Sequence, residues 1–374
     1  MRIAHISDLH VSRMGTMLSR GRLPWRDASG DDWESLVDLA EGWRIDVHRA
    51  DDSRFRWRDR VRLVDGLDLV YETLKITRSL GEEQAVEQLT EQRESLVRGS
   101  AAALAADLPD AETLARWWAA DPANTNYRFL LVVNQLIEEE PDHVVITGDL
   151  TDDGVGYELI AAAMRPFVEA DRLSVVPGNH DLYAVPGVVL PKALRRTEVE
   201  KHRAWGAFAS SIGVCPGAPY LRDLGDGVML AGLDSCHPAA IPGSASGLVP
   251  VEALHRVLGA FEALQPRVRI AALHHHVANP PTDVTGTPPT QAGMRLRNAR
   301  AVHELLVEGH FDVVLNGHRH LGYRFHPVGS PRYVSAPSTT VGCRSGAEPY
   351  YWELDISSDD IDVYPRKVRA LAGG

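Results

Sequence analysis

The chain has 374 residues, 44% of them hydrophobic and 24% charged, which is enough apolar material for one large core or two modest ones and shows no sign of low complexity. A formal net charge of -12 leaves no basic surplus to displace counterions from nucleic acid or to hold an anionic membrane, so a phosphate-bearing ligand would need a local positive centre. No stretch reaches about 18 consecutive apolar residues, the opening MRIAHISDLHV lacks the apolar run of an export signal, and Cys215, Cys236 and Cys343 are far apart without CxxC spacing, so a cytoplasmic protein with no membrane span is expected.

In chain order, RIAHISDLH (2–10) is the first of six segments with one grammar: a polar lead-in, a short β-branched run, then a cluster of Gly, Asp, Asn or His. Residues 31–138 follow, rich in Ala, Leu, Glu and Arg, and stretches such as GEEQAVEQLTEQRESLVRGSAAALAADL favour helix by propensity and periodicity; the segment reads as a helical insertion. The grammar returns in DHVVITGDLTDDG (142–154), RLSVVPGNHD (172–181), VMLAGLDS (228–235), RVRIAALHHHV (267–277) and FDVVLNGHRH (311–320). Between them YELIAAAMRPFVEA and ARAVHELLVEGH carry apolar residues at helical spacing. Strands alternating with helices imply an α/β domain, whose chemistry gathers beyond the carboxyl ends of the strands. After His320, RYVSAPSTTVG, PYYWELDIS and DIDVYPRKV are strand candidates with no helix between them, a C-terminal antiparallel element.

Five of the six strand ends carry potential metal ligands: Asp8-Leu9-His10, Gly148-Asp149, Gly178-Asn179-His180-Asp181, His274-His275-His276 and Gly317-His318-Arg319-His320. In the last, two imidazoles two positions apart on extended backbone project to one side and can reach one point, although the hexapeptide LNGHRH alone reads more simply as a solvated loop. Two adjacent divalent ions account for the whole set, because borderline metals take imidazole nitrogen and carboxylate oxygen and one carboxylate must bridge cations about 3.5 to 4 Å apart. Asp149 is the natural bridge, and glycines beside the ligands permit close backbone approach.

The order DxH, GD, GNHD, a His cluster and GHxH resembles the calcineurin-like metallophosphoesterase superfamily over roughly residues 1–12 and 140–340. The resemblance implies an α/β metallophosphoesterase β-sandwich flanked by helices, with a catalytic domain of residues 1–30 and 139–374 and a helical insertion of residues 31–138 after the first strand. It also implies one metal held by Asp8, His10, Asp149 and His320 and a second held by Asp149, Asn179, His274 and His318, the ions being iron, manganese or zinc. His275 is the alternative to His274, since Val277 stands where relatives commonly have Pro. By the same resemblance His180 faces the substrate and protonates the leaving oxygen, a metal-bridging hydroxide attacks phosphorus, and Asp181 either orients His180 or caps a following helix.

Purple acid phosphatases have a tyrosine three residues after the bridging Asp, where this chain has Asp152. The Ser/Thr protein phosphatases read GDxVDRG, and their arginine is replaced by Asp153 in GDLTDDG. The segments SDLH, GDLTDDG, HHH and PST (337–339) resemble class III cyclic-nucleotide phosphodiesterases and related glycerophosphodiesterases, which implies a cyclic nucleotide or another small phosphodiester as substrate, with Arg297 and Asn298 helping to position it. The alternatives are a repair-type nuclease, disfavoured by the acidic charge, and a non-catalytic metal-binding scaffold, disfavoured by the complete ligand set.

Simpler readings serve elsewhere: His5, on the opposite strand face from Asp8 and His10, as a core histidine; His303 as structural; Asp152 as a solvated acidic turn or a support for the Asp149 loop; Arg319 as solvated or structural. Trp43, Trp57, Trp117 and Trp118 need burial, so residues 31–138 are expected to form a cap over the metals or a contact between two copies of the chain, the other reading being a remote helical decoration.

Overall fold

The structure, a computed structural model, describes residues 1–12, 15, 98–122, 124–152, 154–183, 197–214, 219–237, 245–280, 294–342, 348–358 and 360–369. Among them the strands are β1 (Arg2–Ile6), β2 (His143–Thr147), β3 (Leu173–Val176), β4 (Tyr220–Gly225), β5 (Val228–Gly232), β6 (Val268–Ala272), β7 (Val313–Asn316), β8 (Tyr323–Phe325), β9 (Arg332–Ser335), β10 (Tyr350–Ile356) and β11 (Ile361–Lys367). The helices are α1 (Ala101–Ala106), α2 (Ala111–Ala120), α3 (Thr125–Glu139), α4 (Tyr157–Glu169), α5 (Asn179–Leu182), α6 (Glu198–Ser211), α7 (Val251–Leu264) and α8 (Ala299–Glu308).

Alternation along the strands builds a four-layer sandwich. In the first sheet, ordered β11-β10-β1-β2-β3, the strands β1, β2 and β3 are parallel and β10 and β11 close one edge antiparallel. In the second, ordered β4-β5-β6-β7-β9-β8, four parallel strands are flanked by antiparallel β4 and β8. Ile3 and Val145 face inward and meet Leu230, Ile270, Leu315 and Val334 of the other sheet. Their neighbours Ala4, Val144 and Ile146 face outward onto Phe129 and Val132 of α3, Ile160 of α4 and Phe208 of α6. On the far side Ala271, Val314 and Tyr333 pack on Leu254 and Phe261 of α7 and Val302 and Leu306 of α8. Each of these fully buried aliphatic side chains contributes roughly 1.5 to 3 kcal/mol, so the frame that carries the strand ends is rigid at its centre.

Two elements depart from the sequence reading. The C-terminal strands divide between the sheets: β10 and β11 join β1 in the first, whereas β9 runs parallel to β7 in the second and is antiparallel only to the short β8. The hairpin of β4 and β5 turns on Asp226 and Gly227, both left-handed at φ 52° and 72°, a turn whose hand suits twisted strands. Within the segment read as an insertion, residues 125–138 lie in α3, whose Phe129, Leu131, Val132 and Leu136 are buried in the first core between β1 and β2 in chain order. Trp117 and Trp118 pack against that core as well. Residues 31–97, with Trp43 and Trp57 and the helices expected there, lie outside the described residues. No helix among the described residues is long and apolar enough to cross a membrane.

Candidate metal centre

Beyond the carboxyl ends of β1, β2, β3, β6 and β7 the chain leaves each strand abruptly. Asp8, His10, Asp149, His318 and His320 all adopt left-handed backbone, with φ between 47° and 77°. Such conformations cost about 1 to 3 kcal/mol each for ordinary residues and persist only where the surroundings hold them. Here the loops hold one another: the amides of Asp8 and His10 donate to the carbonyls of Gly148 and Asp149, each at 3.0 Å. On the other side Ser338 and Thr340 donate their hydroxyls to the carbonyls of Asp8 and Leu9, both at 2.7 Å, which gives the segment after β9 a role in fixing the first turn.

These turns bring all seven candidate ligands together. Asp8, His10 and His320 present donor atoms within 4.8 Å of one another, as do Asp149, His274 and His318, and a third set of His10, Asp149 and His180 joins the two. His320 Nε2 stands 2.9 Å from His10 Nε2 and 3.3 Å from Asp8 Oδ1. His274 Nε2 stands 3.1 Å from His318 Nδ1, 3.1 Å from Asn179 Oδ1 and 3.4 Å from Asp149 Oδ1. The expectation that His318 and His320 reach one point by strand alternation is corrected: β7 ends at Asn316, and the left-handed turn sends the two imidazoles to different clusters.

Of the three consecutive histidines, His274 is the one in the cluster. Its Nδ1–H donates to the carbonyl of Thr147 at 2.8 Å, leaving Nε2 toward the centre. Both nitrogens of His275 are engaged outside it, Nδ1 by the Ser235 hydroxyl at 2.9 Å and Nε2 by the carbonyl of Ala245 at 3.1 Å. His276 braces the last ligand turn, donating from Nε2 to the carbonyl of Gly317 at 2.7 Å and accepting from the Tyr323 hydroxyl at Nδ1. Two glycines are required for closeness rather than flexibility: a Cβ on Gly178 would lie 2.1 Å from the amide nitrogen of Asp149, and one on Gly317 would lie 2.4 Å from Asp8 Oδ2.

His180 sits at the edge, with 33% of its side chain exposed against 0% for His10 and His274. Its Nδ1 is 3.0 Å from Asp152 Oδ1, and its amide donates to Asp149 Oδ1 at 2.8 Å. Burial opposes a proton on this imidazole, but the carboxylates of Asp149 and Asp152 outweigh it and lift the group above the ordinary histidine range. Asp152 is itself buried; its desolvation is outweighed by hydrogen bonds to His10 and His180, which keep the carboxyl below the usual range. The reading of Asp152 as a solvated turn residue is therefore corrected.

Asp181, one of the two residues named for catalysis, points away from the imidazole of His180. It caps α5 by accepting from the amide of Gly178 at 2.8 Å, and it accepts from the amides of Leu150 and Thr151 at 3.1 and 3.0 Å and from the Tyr157 hydroxyl at 2.9 Å. Of the two alternatives the structure takes the cap, and Asp152 occupies the place beside His180. Asn298 spends its side chain on the backbone of Val249, accepting at 3.2 Å and donating at 2.6 Å, while Arg297 is exposed and its charge acts on the nearby Tyr183 hydroxyl. His5 and His303 are structural as expected, bonded to Thr147 and Tyr333. Arg319 is buried rather than solvated and reaches Asn279.

The chemistry of the donor set fits cations. With Nδ1–H given to Thr147, Nε2 of His274 faces the oxygens of Asn179 and Asp149 and Nδ1 of His318; burial opposes a second proton, but Asp149 outweighs it and lifts the group to about 9, so the point among these atoms calls for a positive charge that a cation can supply in the proton's place. His318 Nε2 is buried with no hydrogen-bond partner, whereas His10 Nδ1 faces Asp152 Oδ1 at 3.4 Å. Two overlapping clusters joined through Asp149 and His10 fit two metal ions of the borderline class.

Residues 117–322, more than half of the chain, match the calcineurin-like phosphoesterase family, and the chain belongs to that family. It is accordingly a metal-dependent phosphoester hydrolase. Of the seven candidate ligands, the matched span contains all but Asp8 and His10. Among solved structures, the chain is similar to a dimetal phosphatase from Danio rerio, at 13% identity and a TM-score of 0.43, over 66% of this chain and 88% of that one. It is also similar to a purple acid phosphatase from yellow lupin (Lupinus luteus) seeds, at 13% identity and a TM-score of 0.45, over 64% of this chain and 47% of that one. No curated protein gives a significant match.

Proposed function

We propose that the protein is a two-metal phosphodiesterase that hydrolyses a cyclic nucleotide or another small phosphodiester in the cytoplasm. The observation that carries the hydrolytic reading is the pair of Asp/His clusters joined at Asp149, with His180 beside them as the half-open imidazole. Asp8, His10, Asp149 and His320 would hold one ion, and Asp149, Asn179, His274 and His318 the other. When bound, the two ions would supply an activated water at neutral pH and neutralise charge on the phosphate. His180, aimed by Asp152 at Nδ1, donates from Nε2 to the departing alcohol oxygen. Asp149 also fixes the His180 amide, so ligand geometry and acid geometry are set by one carboxylate.

Preference for a diester follows from the loop after Asp149. A monoester dianion concentrates charge that a cationic residue would have to meet, and this loop carries Asp152 and Asp153 instead. A diester monoanion, with less charge to meet, has less need of such a cationic residue. Exposed Arg297 is the cation assigned to the rest of the substrate, and the net charge of -12 suits a small diester better than a polynucleotide. The test is hydrolysis of bis(p-nitrophenyl) phosphate against p-nitrophenyl phosphate with Mn²⁺ supplied, followed by cyclic nucleotides and glycerophosphodiesters. Faster diester turnover that a chelator stops reversibly is expected; equal or faster monoester turnover would overturn the diesterase reading.

A further inference from the structure

Helix α6 presents Lys201, Trp205, Phe208 and Ala209 on one buried face, at the spacing of an amphipathic helix. Three of those positions are apolar, as a core-facing stripe requires. The fourth is a lysine with no exposed surface, which a stripe built for packing alone would not contain. Its ammonium donates to the carbonyl of His180 at 2.7 Å. Its aliphatic stem lies against Gly154, where an added Cβ would be 3.1 Å from Lys201 Cγ. One side chain thus touches both loops that meet at the candidate acid: the loop of Asp149 and Asp152, and the single turn α5 that carries His180.

We infer that Lys201, which lies outside every sequence motif, is a positioning residue that fixes the imidazole of His180 against Asp152. Three tethers then define His180. Its amide is held by the Asp149 carboxylate, its carbonyl by the Lys201 ammonium, and its Nδ1 by the Asp152 carboxylate at 3.0 Å. The two backbone tethers carry opposite charges and pull on the peptide groups either side of one Cα, which sets the direction of the Cα–Cβ bond. Charge-assisted bonds of this kind are short and strong in a buried setting. Losing the ammonium leaves the carbonyl without its charged donor and lets the peptide after His180 rotate, so the imidazole no longer addresses the leaving oxygen at a fixed angle. Asn179 precedes that peptide and the other six proposed ligands stand on other loops, so the metal-binding side chains keep their places.

This inference rests on the reading of His180 as the group that protonates the leaving oxygen, and the test separates the two. Lys201→Met keeps the stem and removes the ammonium. In the Mn²⁺-loaded full-length protein, metal content and KM should match the parent, while kcat for a diester with an alkyl leaving group falls about 10 to 100-fold, as for loss of other positioning partners. With a nitrophenolate leaving group, which departs without a proton, the loss should be under about threefold. His180→Ala should show the same split, and the double variant should be no worse than His180→Ala alone. Equal losses with both leaving groups, additive losses in the double variant, or loss of metal would overturn the assignment. A crystal structure of Lys201→Met provides the reading that needs no turnover: the His180 to Asp152 contact should open beyond hydrogen-bond distance, and an unmoved imidazole would refute the role. If the parent cleaves no diester, the functional reading fails and the crystal structure alone decides the role of Lys201. Should Lys201→Met not fold, Lys201→Gln, which removes the charge and keeps a shorter donor, carries the same comparisons.

Discussion

At the scale of single residues, two carboxylates three positions apart do different work, and substitution should separate them. Asp149 faces both clusters, so Asp149→Asn should lower metal content itself, read by elemental analysis after gel filtration. His180→Ala removes a proton donor while leaving the proposed ligands in place; with a diester whose leaving group is an alkyl alcohol, kcat should fall about 10² to 10⁴-fold with metal content unchanged. Asp152→Asn should lie between, losing about 10 to 100-fold in kcat with metals retained, because the amide neither orients the imidazole as firmly nor sustains its proton. If Asp152→Asn matches the parent, the contact at Nδ1 has no part in turnover. Asp181 should behave differently from all three: its carboxylate ties amides of two loops, so Asp181→Ala should cost stability before chemistry, leaving those buried donors unpaired.

Elements set where those residues stand, and β2 offers a test that does not touch the metal centre. His143 begins β2, is buried, and meets the Ser174 hydroxyl of β3 at 2.8 Å. Burial, then the charge of Arg222, lowers its pKa from 6.5 to about 3. Between those values the unfolded chain takes up a proton that the folded chain refuses, so stability falls as pH drops from about 6.5 toward 3, by up to about 1.4 kcal/mol per pH unit. His143→Gln should remove that one-proton slope, seen as a smaller change in urea midpoint between pH 7 and pH 5; an unchanged slope would mean that the folded state protonates His143 freely. Strands such as β2 and β7 and the periodic helices α4 and α8 were legible because β-branched runs and helical spacing are local properties. So were the ligand types at the strand ends. The short β8 has too few residues to show a period, and nothing local distinguishes Asp152 buried beside His180 from an acidic residue in a wet turn. The separate destinations of His318 and His320 depend on left-handed φ values that histidine does not advertise, and the burial of Lys201 depends on a partner loop from another part of the chain.

For the whole molecule, the metal centre is a junction between the two sheets. Asp8, His10, Asp149 and Asn179 follow β1, β2 and β3 of one sheet, whereas His274, His318 and His320 follow β6 and β7 of the other. Between the sheets the core is largely apolar, crossed by hydrogen bonds such as Trp352 Nε1–H to the Ser335 carbonyl at 2.7 Å and the Tyr220 hydroxyl to the Val175 carbonyl at 3.0 Å, and the polar junction at the strand ends adds a further tie on that side. Without cations the buried carboxylates of the junction have only histidines to offset them: burial raises both groups, but His320 and His274 hold Asp8 below the ordinary carboxylate range, and His274 and His180 hold Asp149 well below it. Metal binding should therefore stabilise the fold as well as complete the site. A ligand bound only by the native state adds about 2.7 kcal/mol at a hundredfold excess over its Kd, so two sites should raise the melting temperature by several degrees in a chain of this size. The parent treated with a chelator should melt lower than the untreated protein, and added Mn²⁺ should restore the transition in a saturable way, whereas Asp149→Asn should respond weakly if at all. Identical melting of the stripped and Mn²⁺-supplied parent would show that the clusters are satisfied without a cation, and the two-metal reading would fall with it.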